Sequence, residues 1–120
     1  MKHILVVDDD DNLRELLAAI LSQEGRVVDT ARNGIDAVAL LTQNPYDLIL
    51  SDLNMPGLDG PSLYEFLRTT TPAIPRVIFM TGDVGGGEYA AFLRGTTEPM
   101  LEKPFGLDVV RHMVSVLLSK

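Results

Sequence analysis

Short runs of apolar residues alternate along the chain with longer segments in which apolar residues recur every three or four positions. The runs at 4–7, 48–50 and 77–80 each end at a polar residue. An uninterrupted apolar run of this length predicts a strand buried on both faces of a sheet. Two further strands are predicted over 27–31 and 100–102, which makes five.

The intervening segments carry the periodicity of amphipathic helices. The first is expected to begin with Asp11 as its N-cap and to stop at Gly25. The second opens at Asn33-Gly34 and closes at Asn44-Pro45, and the third is entered at Pro61. A short fourth helix is predicted around 88–94. The apolar face of the first helix is Leu13, Leu16, Leu17, Ile20 and Leu21, and that of the last is Leu107, Val110, Val114, Leu117 and Leu118.

Strands that alternate with helix-length connections form a parallel sheet with helices on both faces. Five strands suit a doubly wound α/β sheet of the flavodoxin-like order 2-1-3-4-5. With 120 residues and 46% hydrophobic residues, the chain is expected to form one domain over 1–120.

Composition and charge reduce the range of functions that this chain can have. The net charge of −7 disfavours direct, phosphate-driven binding of nucleic acid. The absence of cysteine excludes thiol chemistry and cysteine-ligated zinc. No apolar run approaches the length of a membrane span, and the short N-terminal run is too acidic for a signal peptide. A cytoplasmic domain that does not contact membranes is expected.

The polar residues that end the predicted strands are the candidate site. Asp8 and Asp9 follow the first strand, Asp52 the third, Thr81 the fourth and Lys103 the fifth. Ligands of open parallel sheets bind outside the carboxyl ends of the strands, where the first and third strands flank the switch point. Three carboxylates are therefore expected to converge there.

Converging carboxylates repel one another, and a hard divalent cation relieves the repulsion. Mg²⁺ prefers such oxygen ligands, so Asp9 and Asp52 are predicted to bind it with Asp8 nearby. Lys103 supplies a cation and Thr81 a hydroxyl, which together suit phosphoryl transfer. Asp52 stands alone after its strand and is our candidate nucleophile.

Four motifs in this order resemble the receiver domain of two-component response regulators, over the whole chain. They are Asp8-Asp9, the segment 51–60 (SDLNMPGLDG), Thr81-Gly82 and Lys103-Pro104-Phe105. The resemblance implies a phosphoacceptor signalling module, not an enzyme acting on other substrates, with a histidine kinase or phosphotransfer protein as partner.

The same resemblance implies a role for each matching residue. Asp52 would accept the phosphoryl group, and Thr81 and Lys103 would hold its oxygens. Mg²⁺ would be bound by Asp9, Asp52 and the backbone carbonyl of Asn54, with Asp8 acting through water. The Lys103-Pro104 bond would be cis.

The sequence departs from the receiver family in two places, and both concern the mechanism by which a receiver controls its output. The residue three before the lysine, usually an aromatic switch that moves with the threonine, is Met100. Three glycines at 85–87, interpreted as a flexible loop, precede the fourth helix. The run 98–105 is similar to receivers of hybrid sensor kinases.

A second apolar stripe of the last helix, Val109, Met113 and Val116, predicts a partner surface, such as a homodimer through the fourth and fifth helices.

Several alternatives remain at this point. A small aspartate-nucleophile phosphatase would need a second aspartate at position 54, which is asparagine. A receiver that binds partners without phosphorylation would not need the complete acidic set, and a flavin carrier would not place four acids after its first strand. Asp10, Asp11 and Asp59 are interpreted as helix-start or turn residues rather than ligands.

Overall fold

Five parallel strands and five helices make up the described part of the chain. The computed structural model describes residues 1–23, 25–71, 74–82 and 87–119. The strands are β1 (His3–Val7), β2 (Val27–Ala31), β3 (Leu48–Asp52), β4 (Arg76–Thr81) and β5 (Met100–Glu102). The helices are α1 (Asp11–Leu21), α2 (Gly34–Gln43), α3 (Gly60–Thr70), α4 (Ala90–Gly95) and α5 (Leu107–Leu118).

The strands form one parallel sheet in the order β2-β1-β3-β4-β5. The predicted fold class is therefore confirmed. In this order β1 and β3 are neighbours although β2 lies between them in sequence, so the winding direction changes at this pair. Their carboxyl ends open into the crevice that such a switch point creates.

The sheet separates two hydrophobic clusters, which explains the uninterrupted apolar runs. Successive strand residues point to opposite faces. In β1, Leu5 and Val7 pack with α2, α3 and α4, whereas Ile4 and Val6 pack with α1 and α5. All four are fully buried. Because both faces are covered, the interior strands have no polar face, and polar residues occur only at their ends.

The first helix differs from its prediction in both ends and in one face residue. Its N-cap is Asp10, not Asp11, because the Asp10 carboxylate accepts hydrogen bonds from the amides of Asn12 and Leu13. It ends at Leu21, four residues before Gly25. Leu16 is 44% exposed, since it lies at the edge of a stripe centred nearer Leu17.

The other helix starts follow their caps more closely. Asn33 caps α2, and the Asp59 carboxylate caps α3 by accepting a hydrogen bond from the amide of Ser62, so the cap interpretation of Asp59 is confirmed. Helix α4 starts at Ala90 rather than near 88. The loop predicted at 85–87 lies outside the described residues except for Gly87.

The second apolar stripe of α5 is divided between core and surface. Val109 and Val116 are 52% and 40% exposed, whereas Met113 packs partly against the core shared with α1. None of the described helices is long and apolar enough to traverse a bilayer.

We predict that Gly60→Ala destabilises the domain by about 1–3 kcal/mol, the usual cost of overpacking. A Cβ at Gly60 would lie 2.8 Å from the backbone oxygen of Asp52 and 2.9 Å from the Cα of Leu53. Gly95→Ala is the control, because a Cβ there meets nothing within 4 Å. Urea unfolding measures both. Equal stability of the two variants would show that α3 does not pack tightly against the end of β3.

Candidate functional site: a carboxylate cluster at the switch point

Three carboxylates meet where β1 and β3 end. Asp8 directly follows β1, and Asp52 is the last residue of β3. Asp8 is fully buried and Asp52 is 7% exposed, whereas Asp9 is exposed. One carboxylate oxygen from each of the three lies within 4.8 Å of the others. The fold thus brings together the acidic residues that the strand ends predicted.

Lys103 joins two of these carboxylates. Its ammonium Nζ lies 2.9 Å from an oxygen of Asp8 and 3.4 Å from an oxygen of Asp52. The backbone amide of Lys103 donates to the carbonyl of Thr81, and the Lys103-Pro104 bond is cis, as the resemblance implied. Sequence analysis placed a cation at this site, but it did not predict the direct hydrogen bond to Asp8.

Hydrogen bonds fix both the carboxylate and the backbone carbonyl of Asp8. Its second carboxylate oxygen accepts a hydrogen bond of 2.9 Å from the amide of Asp10, and its carbonyl accepts one of 2.9 Å from the guanidinium of Arg14. A buried carboxylate with partners on both oxygens has a fixed orientation. Asp9, in contrast, is the exposed member of the cluster.

Burial raises the pKa of Asp52 to about 6. The ammonium of Lys103 lowers this pKa, while the charges of Asp8 and Asp9 raise it. Burial also lowers the pKa of Lys103, but the hydrogen bond to Asp8 and the charge of Asp52 outweigh burial and raise it overall. At neutral pH the site therefore contains a mostly ionised Asp52 carboxylate beside a protonated lysine.

A cavity of about 300 Å³ lies beside Asp52, and Asn54 and Thr81 contribute to its wall. Thr81 is the last residue of β4 and is buried, whereas Asn54 is exposed in the loop after β3. Met100 is half-buried, pairs in register with Phe79 of β4, and is not among the described residues that line the cavity. The cavity thus gives solvent species access to Asp52.

Sequence analysis missed Tyr89, which lines the same cavity. Its hydroxyl donates to the carboxylate of Asp59 at 3.2 Å across an interval of 30 residues. Burial and the charges of Asp59 and Glu88 raise the pKa of this phenol, which keeps it protonated. No local pattern marks the pair. The only available signal was that both residues lie in loops that follow adjacent strands.

The donor set suits a hard cation. The converging ligand atoms are carboxylate oxygens, and the described part of the cluster contains no sulfur or imidazole ligand. Mg²⁺ and Ca²⁺ prefer such oxygens, and Mg²⁺ is held by few carboxylates with water completing its shell. An exposed Asp9 and an accessible cavity leave room for those waters, so the residues present fit Mg²⁺.

Comparison with known proteins gives a consistent result. The chain is 37% identical over 117 residues to the sensor histidine kinase RcsC of Salmonella typhimurium and 35% identical over 117 residues to the response regulator MprA of a Mycobacterium species. These matches cover 98% of this chain but 12% and 50% of those proteins. The chain thus spans half or less of the length of these two relatives.

A solved structure agrees with this fold over nearly the whole chain. The response regulator TrrA of Thermotoga maritima, solved in complex with Mg²⁺ and BeF, has a TM-score of 0.81 and 33% identity. The match covers 98% of this chain and 99% of that one. The family model described as the response regulator receiver domain matches residues 4–115. The carboxylate cluster, the sheet order and these matches lead to one conclusion, that the chain belongs to the response regulator receiver domain family.

Proposed function

We propose that this domain accepts a phosphoryl group on Asp52 and so relays a signal from a histidine kinase or a phosphotransfer protein. The observation that carries the proposal is the position of Asp52. Its carboxylate is buried at the switch point, lies 3.4 Å from the Lys103 ammonium and borders an open cavity. Burying a charged group costs free energy of folding, and buried carboxylates with perturbed pKa values occur preferentially at functional sites.

The reaction transfers one phosphoryl group. A carboxylate oxygen of Asp52 attacks the phosphorus of a phosphohistidine, an O–P bond forms, and the P–N bond breaks with its electron pair left on the imidazole. Hydrolysis of the acyl phosphate later restores the carboxylate and releases inorganic phosphate. The domain thus catalyses only its own phosphorylation and slow dephosphorylation.

Neutralising charge is the main catalytic requirement of such a transfer. Asp9, Asp52 and the backbone carbonyl of Asn54 would hold Mg²⁺, with Asp8 acting through water. The bound ion would neutralise the phosphoryl oxygens as they approach the carboxylates. Lys103 would exchange part of its contact with Asp52 for a phosphoryl oxygen, and the Thr81 hydroxyl would hold another.

The conformational response is proposed to pass through Thr81 and Met100. Methionine has more flexible torsions than an aromatic ring and repacks without two discrete positions. Met100 packs partly against the cluster that contains Phe79 and Leu93. We therefore expect a graded response at the α4–β5 surface rather than a two-state ring movement.

Two partners follow from the proposal, a histidine kinase and a second copy of this chain. TrrA has been solved in complex with the histidine kinase ThkA and matches this chain with a TM-score of 0.80, which supports a kinase as the phosphoryl donor here. The exposed Val109 and Val116 of α5 support self-association through α4 and α5. In this proposal 1–120 acts as one receiver domain and binds neither nucleic acid nor membrane.

Acetyl phosphate and Mg²⁺ test the proposed phosphorylation. Intact-mass spectrometry should find one added phosphoryl group on the wild type and none on Asp52→Asn, because the amide is not a nucleophile. The matched control is Asp47→Asn, which alters a carboxylate just before the opposite end of the same strand. Labelling of Asp52→Asn at the wild-type level, or no labelling of the wild type by any donor, would contradict the proposal.

Mg²⁺ should stabilise the folded domain by roughly 2.7 kcal/mol at about one hundred times its dissociation constant. Asp9→Ala should lose most of this gain, and it should raise the stability of the metal-free protein because it removes one repelling carboxylate. Thermal melts with and without Mg²⁺ measure both effects, with sodium chloride at matched ionic strength as the control. A metal-free Asp9→Ala that melts below the wild type would contradict the crowded-carboxylate argument.

In EDTA, Asp52→Asn should raise the free energy of unfolding at about pH 8, by on the order of 2 kcal/mol, and the gain should shrink toward pH 5. The pKa of Asp52 is about 6 in the folded protein against 3.8 for an ordinary aspartate. The folded state therefore retains a proton that the unfolded chain has lost, and wild-type stability falls as pH rises through this window. Urea unfolding at the two pH values measures the difference, and a gain independent of pH would refute the argument.

A further inference from the structure

Tyr89 occupies the outer wall of the phosphoacceptor cavity. Asp52 and Thr81, which end β3 and β4, line this cavity together with Glu88 and Tyr89 from the segment before α4. On its other side Asp52 is enclosed by the buried Asp8 and by Lys103. The cavity that Tyr89 borders is thus a route by which water can reach a group on Asp52.

The Tyr89 side chain is fixed at its hydroxyl. The phenol donates a hydrogen bond of 3.2 Å to one oxygen of Asp59, and the other oxygen of Asp59 accepts a bond of 2.9 Å from the amide of Ser62. Asp59 is the N-cap of α3, so its position is set by that helix. The ring is half-buried against the cluster that contains Phe79. Both ends of the side chain are thus held.

The hydrogen bond between Tyr89 and Asp59 also connects two loops next to the site. Asp52 ends β3 and Thr81 ends β4, and these strands are neighbours. Asp59 lies in the loop that follows β3, and Tyr89 lies in the connection that follows β4. Their contact joins the two connections beside the cavity that Tyr89 lines.

We propose that Tyr89, held by Asp59, is a positioning residue that restricts the access of water to the phosphorylated Asp52 and so lengthens the lifetime of the acyl phosphate. This inference rests on the proposed function. In the step that it slows, a water oxygen attacks phosphorus, the bond between phosphorus and the Asp52 oxygen breaks, the carboxylate and inorganic phosphate are released, and a proton passes to solvent.

The test follows the decay of phosphorylated Asp52 after removal of acetyl phosphate. Tyr89→Phe keeps the ring and loses the hydrogen bond, and Asp59→Ser keeps an N-cap acceptor but is too short to reach the phenol. Both should speed hydrolysis by about threefold to tenfold, the range equivalent to one hydrogen bond. Tyr89→Ala opens the wall and should speed it further. Decay is first order in the phosphorylated protein, so its rate constant does not depend on how much phosphoryl group each variant takes up.

Tyr64→Phe is the matched control. The Tyr64 hydroxyl also donates to a carboxylate, that of Glu98 at 3.3 Å, and its ring contacts the same aromatic cluster, but Tyr64 does not line the cavity. Its acyl phosphate should decay at the wild-type rate. Equal acceleration in Tyr64→Phe would overturn the inference, because it would attribute the effect to general loosening of the cluster.

The remaining outcomes are distinguishable. Decay at the wild-type rate in both Tyr89→Phe and Asp59→Ser would overturn this inference and leave the proposed function standing. Slower decay in Tyr89→Phe would also overturn it, since the phenol would then be assisting water. If the wild type takes up no phosphoryl group at all, the proposed function fails and this inference fails with it. Tyr89→Phe and Asp59→Ser suffice should Tyr89→Ala fold poorly.

Discussion

The contact between Lys103 and the two buried carboxylates is the interaction on which the site depends. Asp8 is fully buried and Asp52 nearly so, and without a partner two such charges would drive each other toward protonation. The single ammonium, 2.9 Å from Asp8 and 3.4 Å from Asp52, faces three carboxylates and does not offset the burial of Asp52, whose pKa stands at about 6. The cluster therefore retains excess negative charge, which makes it receptive to a further cation.

The rest of the fold supplies the positions that this contact needs. Strands β1 and β3 are covered on both faces, so their polar ends are confined to one edge and meet there. The amide of Lys103 bonds to the carbonyl of Thr81, which fixes the lysine relative to β4. Gly60 lets α3 start against the backbone of Asp52 and Leu53. The contacts that pack the core at this edge of the sheet thus also fix the positions of the site residues.

Sequence reasoning was most successful where a local pattern, such as an apolar run followed by a polar residue, is enough to predict an element and its end. Apolar runs ending in Asp8, Asp52 and Thr81 identified the strands, their order and the acidic edge. It erred where neighbouring residues compete for one role, as when Asp10 rather than Asp11 capped α1. It could not find the hydrogen bond between Tyr89 and Asp59, because that contact depends on how two separate loops fold. Such pairs leave no periodicity and no spacing.

The distribution of aromatic residues bears on how the domain transmits a signal. Position 100 on β5 carries methionine, and the rings lie instead on three other elements, Tyr64 on α3, Phe79 on β4 and Phe92 on α4. Each pair of these rings packs edge to face, with centroids 5.1 to 6.2 Å apart. Such contacts resist displacement of one ring without the others. Since Phe79 lies two residues before Thr81 on the same face of β4, and Met100 packs against the same cluster, a movement of Thr81 would reach α3 and α4 through these rings as well as β5.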